Sequence, residues 1–160
     1  MIGAYAVGKT SLVDQFVLSI YSDAYHTTVG VKIDKKVLQV NDTELTCVIW
    51  DIAGEDEFYT VSNSYLRGMA GFFLVVDSTR NVTVKIALSL LDRIQETYPN
   101  IPFIVLLNKT DLVADRDINN ADLALLKERA IDVIETSAKT GIGVEHAFQD
   151  LANSIISSRP

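Results

Sequence analysis

Gly3-Ala4-Tyr5-Ala6-Val7-Gly8-Lys9-Thr10, followed directly by Ser11-Leu12-Val13-Asp14-Gln15-Phe16, is the stretch whose reading decides the fold. The octapeptide fits G-x-x-x-x-G-K-[ST], and apolar residues then recur at Leu12, Val13, Phe16, Val17 and Ile20, one face of a helix over residues 9–20. A glycine-framed turn at the start of a helix can aim successive backbone N–H groups at a phosphate, at the positive end of the helix dipole. Lys9 adds a point charge to the outer phosphate oxygens, and the Thr10 hydroxyl can ligate magnesium. Gly3 to Gly8 one by one (Gly3, Ala4, Tyr5, Ala6, Val7, Gly8), with Lys9, Thr10 and Ser11, form the candidate phosphate cradle. Taken by itself, the same stretch also fits a plain glycine turn before a helix.

Outward from this turn, strand-like and helix-like runs alternate along the chain, a pattern that predicts an α/β fold. The expectation is a doubly wound, mostly parallel six-stranded sheet with helices on both faces. Residues 31–40 and 45–50 flank Asn41-Asp42-Thr43 and read as a hairpin with a polar turn. Residues 72–76 and 103–107 are continuous apolar runs of the kind buried parallel strands show. Between them Val84, Ala87, Leu88, Leu91, Ile94 and Tyr98 predict an amphipathic helix that stops before Pro99. Residues 121–130 predict a third helix and 131–135 a last strand. Val144, Ala147, Phe148, Leu151, Ala152 and Ile155 form the closing helix.

The 160 residues suit one domain, and 48% apolar with 22% charged residues is globular composition. No apolar run approaches the roughly 20 residues of a membrane helix, so no transmembrane segment is expected. A net charge of −7 argues against a nucleic-acid footprint, which needs a basic face. Cys47 is the single cysteine, which excludes an internal disulfide, and its apolar surroundings suit a core residue.

Three further motifs follow predicted strands, at the sheet end where open α/β folds bind ligands. In Trp50-Asp51-Ile52-Ala53-Gly54, Asp51 ends an apolar strand and suits the carboxylate that holds a magnesium-bound water, while Trp50 suits packing at the sheet end. In Asn108-Lys109-Thr110-Asp111, the Asp111 carboxylate can accept from both N1–H and the exocyclic amine of guanine. Adenine offers no such pair of donors and would leave a desolvated carboxylate unpaired, at a cost of several kcal/mol. Asn108 would tie this loop to the base, and the Lys109 stem can lie against the purine face. Thr136-Ser137-Ala138-Lys139 supplies backbone N–H groups where guanine O6 would fall.

Together these motifs resemble those of Ras-superfamily GTPases, closest to the Rab branch, over essentially the whole chain. Residues 50–58, WDIAGEDEF, are similar to the Rab stretch WDTAGQERF, and Ser64-Tyr65-Leu66-Arg67-Gly68 is similar to YYRG. The resemblance implies a switch that binds GTP and GDP with Mg²⁺ and hydrolyses GTP. It implies Thr28 as the second magnesium hydroxyl beside Thr10 and Asp51, and Tyr21 as the aromatic lying edge-on to guanine. Tyr25 would be the switch tyrosine that closes over the γ-phosphate. Tyr21 and Tyr25 also fit ordinary half-buried loop anchors. Lys9, Thr28, Gly54 and Glu55 are the candidate catalytic residues.

Five departures qualify the resemblance. Glu55 replaces the glutamine that orients the attacking water; a carboxylate about 4 Å from a γ-phosphate oxygen is repelled by roughly 4 kcal/mol at an effective dielectric near 20. Slow hydrolysis is the expectation, with Glu55 alternatively one more acid in Glu55-Asp56-Glu57. Tyr5 stands where a small residue is usual, and a ring there can cover the phosphate, crowd Glu55 or point outward. Lys32-Ile33 replaces the Asp-Phe pair found after this loop in many Rabs. Only Met1 and Ile2 precede the phosphate loop, although the strand there should lie between two others; an upstream extension is therefore expected, and the domain at 1–160 would lack most of its first strand. Ser157-Ser158-Arg159-Pro160 offers no cysteine to prenylate, which leaves a removed tail or a different anchor. His26 and His146 lack metal-ligand spacing and suit structural or exposed roles.

The implied partners are effectors reading the loops around Thr28 and Gly54, an exchange factor and a GTPase-activating protein, in the cytoplasm or on the cytosolic face of membranes. Two alternatives stand beside this reading: a nucleotide-holding module of the same fold with little hydrolysis, and a P-loop ATPase or nucleotide kinase.

Overall fold

Backbone alternation along two strands explains how the molecule is layered. The computed structural model describes residues 1–24, 27–54 and 61–158. Strands β4 (Phe72–Asp77) and β5 (Phe103–Asn108) are buried at every position. Because successive side chains in a strand point to opposite faces, each must meet a hydrophobic layer on both sides. Phe73, Val75, Ile104 and Leu106 pack against α1 (Lys9–Leu18) and α5 (Val144–Ser157). Phe72, Leu74, Val76, Phe103, Val105 and Leu107 pack against α3 (Val82–Thr97) and α4 (Asn120–Lys127). Aromatic stacking seals the first layer: the Phe16 and Phe148 rings lie 3.6 Å apart and nearly parallel, and Phe73 meets Phe148 at 4.6 Å.

Parallel pairing runs in the order β1 (Ile2–Gly3), β4, β5, β6 (Val133–Glu135). The antiparallel hairpin of β2 (Val31–Val40) and β3 (Thr43–Ile52) is a separate ladder. The expected six strands are present, but as four plus two rather than one continuous ladder. The reason is local: β1 pairs through only Ile2 and Gly3, and its bonds toward β3 are the Met1 amine to the Trp50 carbonyl at 2.8 Å and Ile52 N–H to the Met1 carbonyl at 3.4 Å.

Other boundaries moved for identifiable reasons. Asn41 and Asp42 both have positive φ, 47° and 61°, so a two-residue turn suffices and Thr43 joins the strand opposite Val40. Helix α1 ends at Leu18 because Ser19 turns left-handed, and α4 is capped by the Asn119 side chain and stops at Lys127. The last strand begins at Val133 rather than 131. A short helix, α2 (Asn63–Leu66), was not foreseen; its four residues are too few to carry a periodic signal. Trp50 is 39% exposed on the hairpin's outer face against Tyr65, not packed inside the sheet end. His146 faces Asp150 one turn along α5. No helix among the described residues is long and apolar enough to cross a membrane.

Candidate nucleotide-binding site

The C-terminal ends of β1, β3, β4, β5 and β6 lead into the phosphate loop, Asp51 to Gly54, Asp77, Asn108 to Asp111 and Thr136 to Lys139. At this end of the fold a cavity of about 450 Å³ is lined by Tyr5, Ala6, Gly8, Lys9, Thr10, Ser11, Tyr21, Thr28, Gly54 and Lys109 among others. Gly3, Ala4 and Val7 do not line it and serve through their carbonyls, and Asp51, Asn108, Asp111, Ser137, Ala138 and Lys139 also stand outside its lining.

The phosphate loop is held from behind. Consecutive carbonyls of Tyr5, Ala6 and Val7 accept bonds of 2.9 Å each from Arg80 Nη2, Lys109 Nζ and Asn108 Nδ2. A trans peptide places C=O and the following N–H on opposite sides, so the N–H groups of Ala6, Val7 and Gly8 turn away from these donors. Lys9 is only 6% exposed, and its ammonium donates to the Gly3 and Ala4 carbonyls at 3.2 and 2.8 Å. Burial lowers its pKa to about 8 against the pull of Asp51. A buried ammonium bonded to neutral carbonyls is chemically matched to an incoming oxyanion.

Beside Lys9, three oxygen side chains converge. Thr10 Oγ1 lies 2.7 Å from Thr28 Oγ1 and 2.5 Å from Asp51 Oδ2, and Thr28 Oγ1 lies 3.4 Å from the same oxygen. Burial raises the Asp51 pKa, opposed by the Thr10 bond. Its other oxygen, Oδ1, is buried without a hydrogen-bond partner among the described residues. An oxygen-only set with an orphaned carboxylate oxygen fits a hard divalent cation such as Mg²⁺. Gly54 borders this corner so closely that a Cβ there would lie 2.6 Å from the Ala4 carbonyl oxygen and 2.7 Å from Lys9 Nζ.

At the base end, Ser137 Oγ donates to Asp111 Oδ1 at 2.6 Å, which orients the carboxylate. Asn108 is buried, and its Oδ1 accepts from Ala138 N–H at 3.2 Å and Thr136 Oγ1 at 3.3 Å. Three of the expected donors are therefore engaged within the protein: Thr136 N–H bonds the Leu107 carbonyl, Ser137 N–H the Ile142 carbonyl, and Ala138 N–H Asn108. Lys139 is exposed. Lys109, at φ 65°, carries its ammonium back to Asp77 Oδ2 at 2.7 Å. Tyr21 sits near enough to Asp23 and Asp111 that, after burial, their charges raise its phenol pKa. Tyr5, 37% exposed, places its hydroxyl 3.4 Å from Thr27 Oγ1 and so spans from the phosphate loop toward the loop that carries Thr28. Tyr25, His26 and Glu55 lie outside the described residues.

Asp77 and Arg80 were missed in the sequence. The available signal was an aspartate ending a wholly apolar strand, the same signal that marked Asp51.

The sequence pattern of the Ras family matches residues 1–157, and the chain belongs to that family. With the fold and the five loop ends, this defines a Ras-superfamily small GTPase near the Rab branch, a GTP-binding switch, and sets aside the ATPase and nucleotide-kinase alternative. Among individual proteins it is similar to Ras-related protein Rab-4A of Rattus norvegicus, Mus musculus and Homo sapiens, each 35% identical over 158 residues, spanning 98% of this chain and 72% of the relative.

Proposed function

We propose that the domain holds GDP or GTP with Mg²⁺ in the 450 Å³ cavity and hydrolyses GTP slowly, by in-line attack of water. The observation that carries this reading is the convergence of Thr10, Thr28 and Asp51 beside the buried Lys9. Mg²⁺, when bound, neutralises charge on the β and γ oxygens. Lys9 and the loop N–H groups bind and orient the phosphates, Gly54 admits the chain close to them, and the inward position of Thr28, 2.7 Å from Thr10, is the one a γ-phosphate would hold in place. Effectors would read the loops around Thr28 and Gly54, an exchange factor and an activating protein would set the nucleotide state, and the switch would work in the cytosol or on its membranes. Equilibrium titration of GDP and GTP against ADP and ATP, with single-turnover hydrolysis of GTP, tests the whole; equal affinity for ATP and GTP would sink it.

Thr10→Ala and Thr28→Ala should both weaken magnesium, read from the metal concentration that holds a fluorescent nucleotide in place. Only Thr28→Ala should leave GDP binding nearly intact, since Thr10 belongs to the fixed loop. Equal loss of GDP and GTP in Thr28→Ala would show that Thr28 is not a state-dependent ligand.

The second reading, a module with little turnover, is favoured by Tyr5 reaching toward Thr27 across the phosphate side of the cavity. Glu55→Gln should raise the single-turnover rate roughly tenfold or more if each 1.4 kcal/mol of relieved repulsion appears in the barrier. Where the Tyr5 ring occupies the water's place, that gain appears only with Tyr5→Gly added, a non-additive pair. Fast hydrolysis by the unmutated domain, or a further loss in Glu55→Gln, would make Glu55 a working catalytic group.

A further inference from the structure

Behind the phosphate loop, one buried carboxylate gathers two cations, and each cation also grips the loop. Asp77 is 0% exposed at the end of β4. Its Oδ2 accepts from Arg80 Nε at 2.9 Å and Lys109 Nζ at 2.7 Å, and its Oδ1 from Thr79 N–H and Oγ1. Burial pushes the Asp77 pKa up, but the Lys109, Thr79 and Arg80 bonds prevail and hold it below the usual carboxylate range, so the anchor stays charged. Lys109 continues to the Ala6 carbonyl, and Arg80 Nη2 continues to the Tyr5 carbonyl.

We propose that Arg80, anchored on Asp77, is a positioning residue for phosphate binding: by holding the Tyr5 carbonyl outward it keeps the Tyr5–Ala6 peptide from turning and aims Ala6 N–H at the nucleotide phosphates. This rests on the guanine-nucleotide reading of the cavity. At position 80 the two acceptors are met by two different nitrogens of one rigid fork, Nε on the Asp77 carboxylate and Nη2 on the Tyr5 carbonyl; a lysine there would have to reach both with a single nitrogen, as Lys109 Nζ does for Asp77 and the Ala6 carbonyl.

The test measures GDP and GMP affinity by competition against a fluorescent guanine nucleotide, for the unmutated domain, Arg80→Ala and Arg80→Lys. Arg80→Ala should weaken GDP roughly tenfold or more, the scale of one charge-assisted hydrogen bond, while GMP, which lacks the outer phosphates, changes little. Arg80→Lys should lose nearly as much as alanine, since charge without the fork does not hold the peptide. The Arg80 side chain is 40% exposed, so both variants should fold, and retained GMP binding reports that they do. Unchanged GDP affinity in Arg80→Ala overturns the inference alone. So does full rescue by lysine, which would reduce the role to net charge, or equal loss of GDP and GMP, which would reduce it to general support of the fold. Failure of the unmutated domain to bind any guanine nucleotide overturns the functional reading and this inference with it.

Discussion

Asp111→Asn is expected to weaken GDP and GTP by at least about a hundredfold and to shift preference toward xanthine nucleotides, because two donors of guanine would then face a donor. The structure supplies the reason that the swap should be clean. Ser137 Oγ donates to Asp111 Oδ1 at 2.6 Å, and in the variant the amide oxygen remains the acceptor for that hydroxyl. The amide nitrogen is then left on the base side, where the C2 oxygen of xanthine asks for a donor. Titration of GDP and xanthosine diphosphate against both proteins reads the result directly. An Asp111→Asn protein that keeps its guanine preference would mean that this carboxylate does not read the base. Ser137 sets the orientation, so Ser137→Ala added to Asp111→Asn should blur the preference without restoring guanine.

Gly8→Ala should cost at least about a hundredfold in GDP affinity, through two effects of comparable size. Gly8 sits at φ 97°, where a side chain strains the backbone by on the order of 1–3 kcal/mol. An added Cβ would also lie 2.4 Å from Asn108 Nδ2, the atom that donates to the Val7 carbonyl. Either that buried bond breaks, at about 1–3 kcal/mol, or the phosphate loop moves away from the base loop. Both routes damage phosphate binding, so GDP titration and thermal unfolding of the nucleotide-free protein should fall together. Asn108→Ala removes the obstructing amide, and the double variant should therefore lose less than the two single losses combined. Native GDP affinity in Gly8→Ala would show slack in the loop that the geometry does not suggest.

Much of the fold was legible because its signals are local. The unbroken apolar runs at β4 and β5 demanded a hydrophobic layer on each face, and the 3.6-residue spacing in α1, α3 and α5 supplied those layers. The phosphate loop, Asp51 and Asn108 to Asp111 were legible for a related reason: each is a polar interruption directly after a strand, and a parallel sheet brings all such interruptions to one end. The shortness of β1 was legible, since only Met1 and Ile2 precede the phosphate loop, but the division of the sheet into four and two strands that follows from it was not expected. Nor were the contacts that orient the site. Ser137 to Asp111 spans 26 positions, Arg80 to the Tyr5 carbonyl 75, and Asn108 to the Val7 carbonyl 101. Backbone geometry imposes periodicity over a few residues and writes it into the sequence, whereas the direction in which a loop side chain finally donates is settled by packing of the elements that carry it. Residue types and their order thus determined the class of ligand, and the tertiary structure alone decided which donors stand behind the phosphate loop and which remain within the protein.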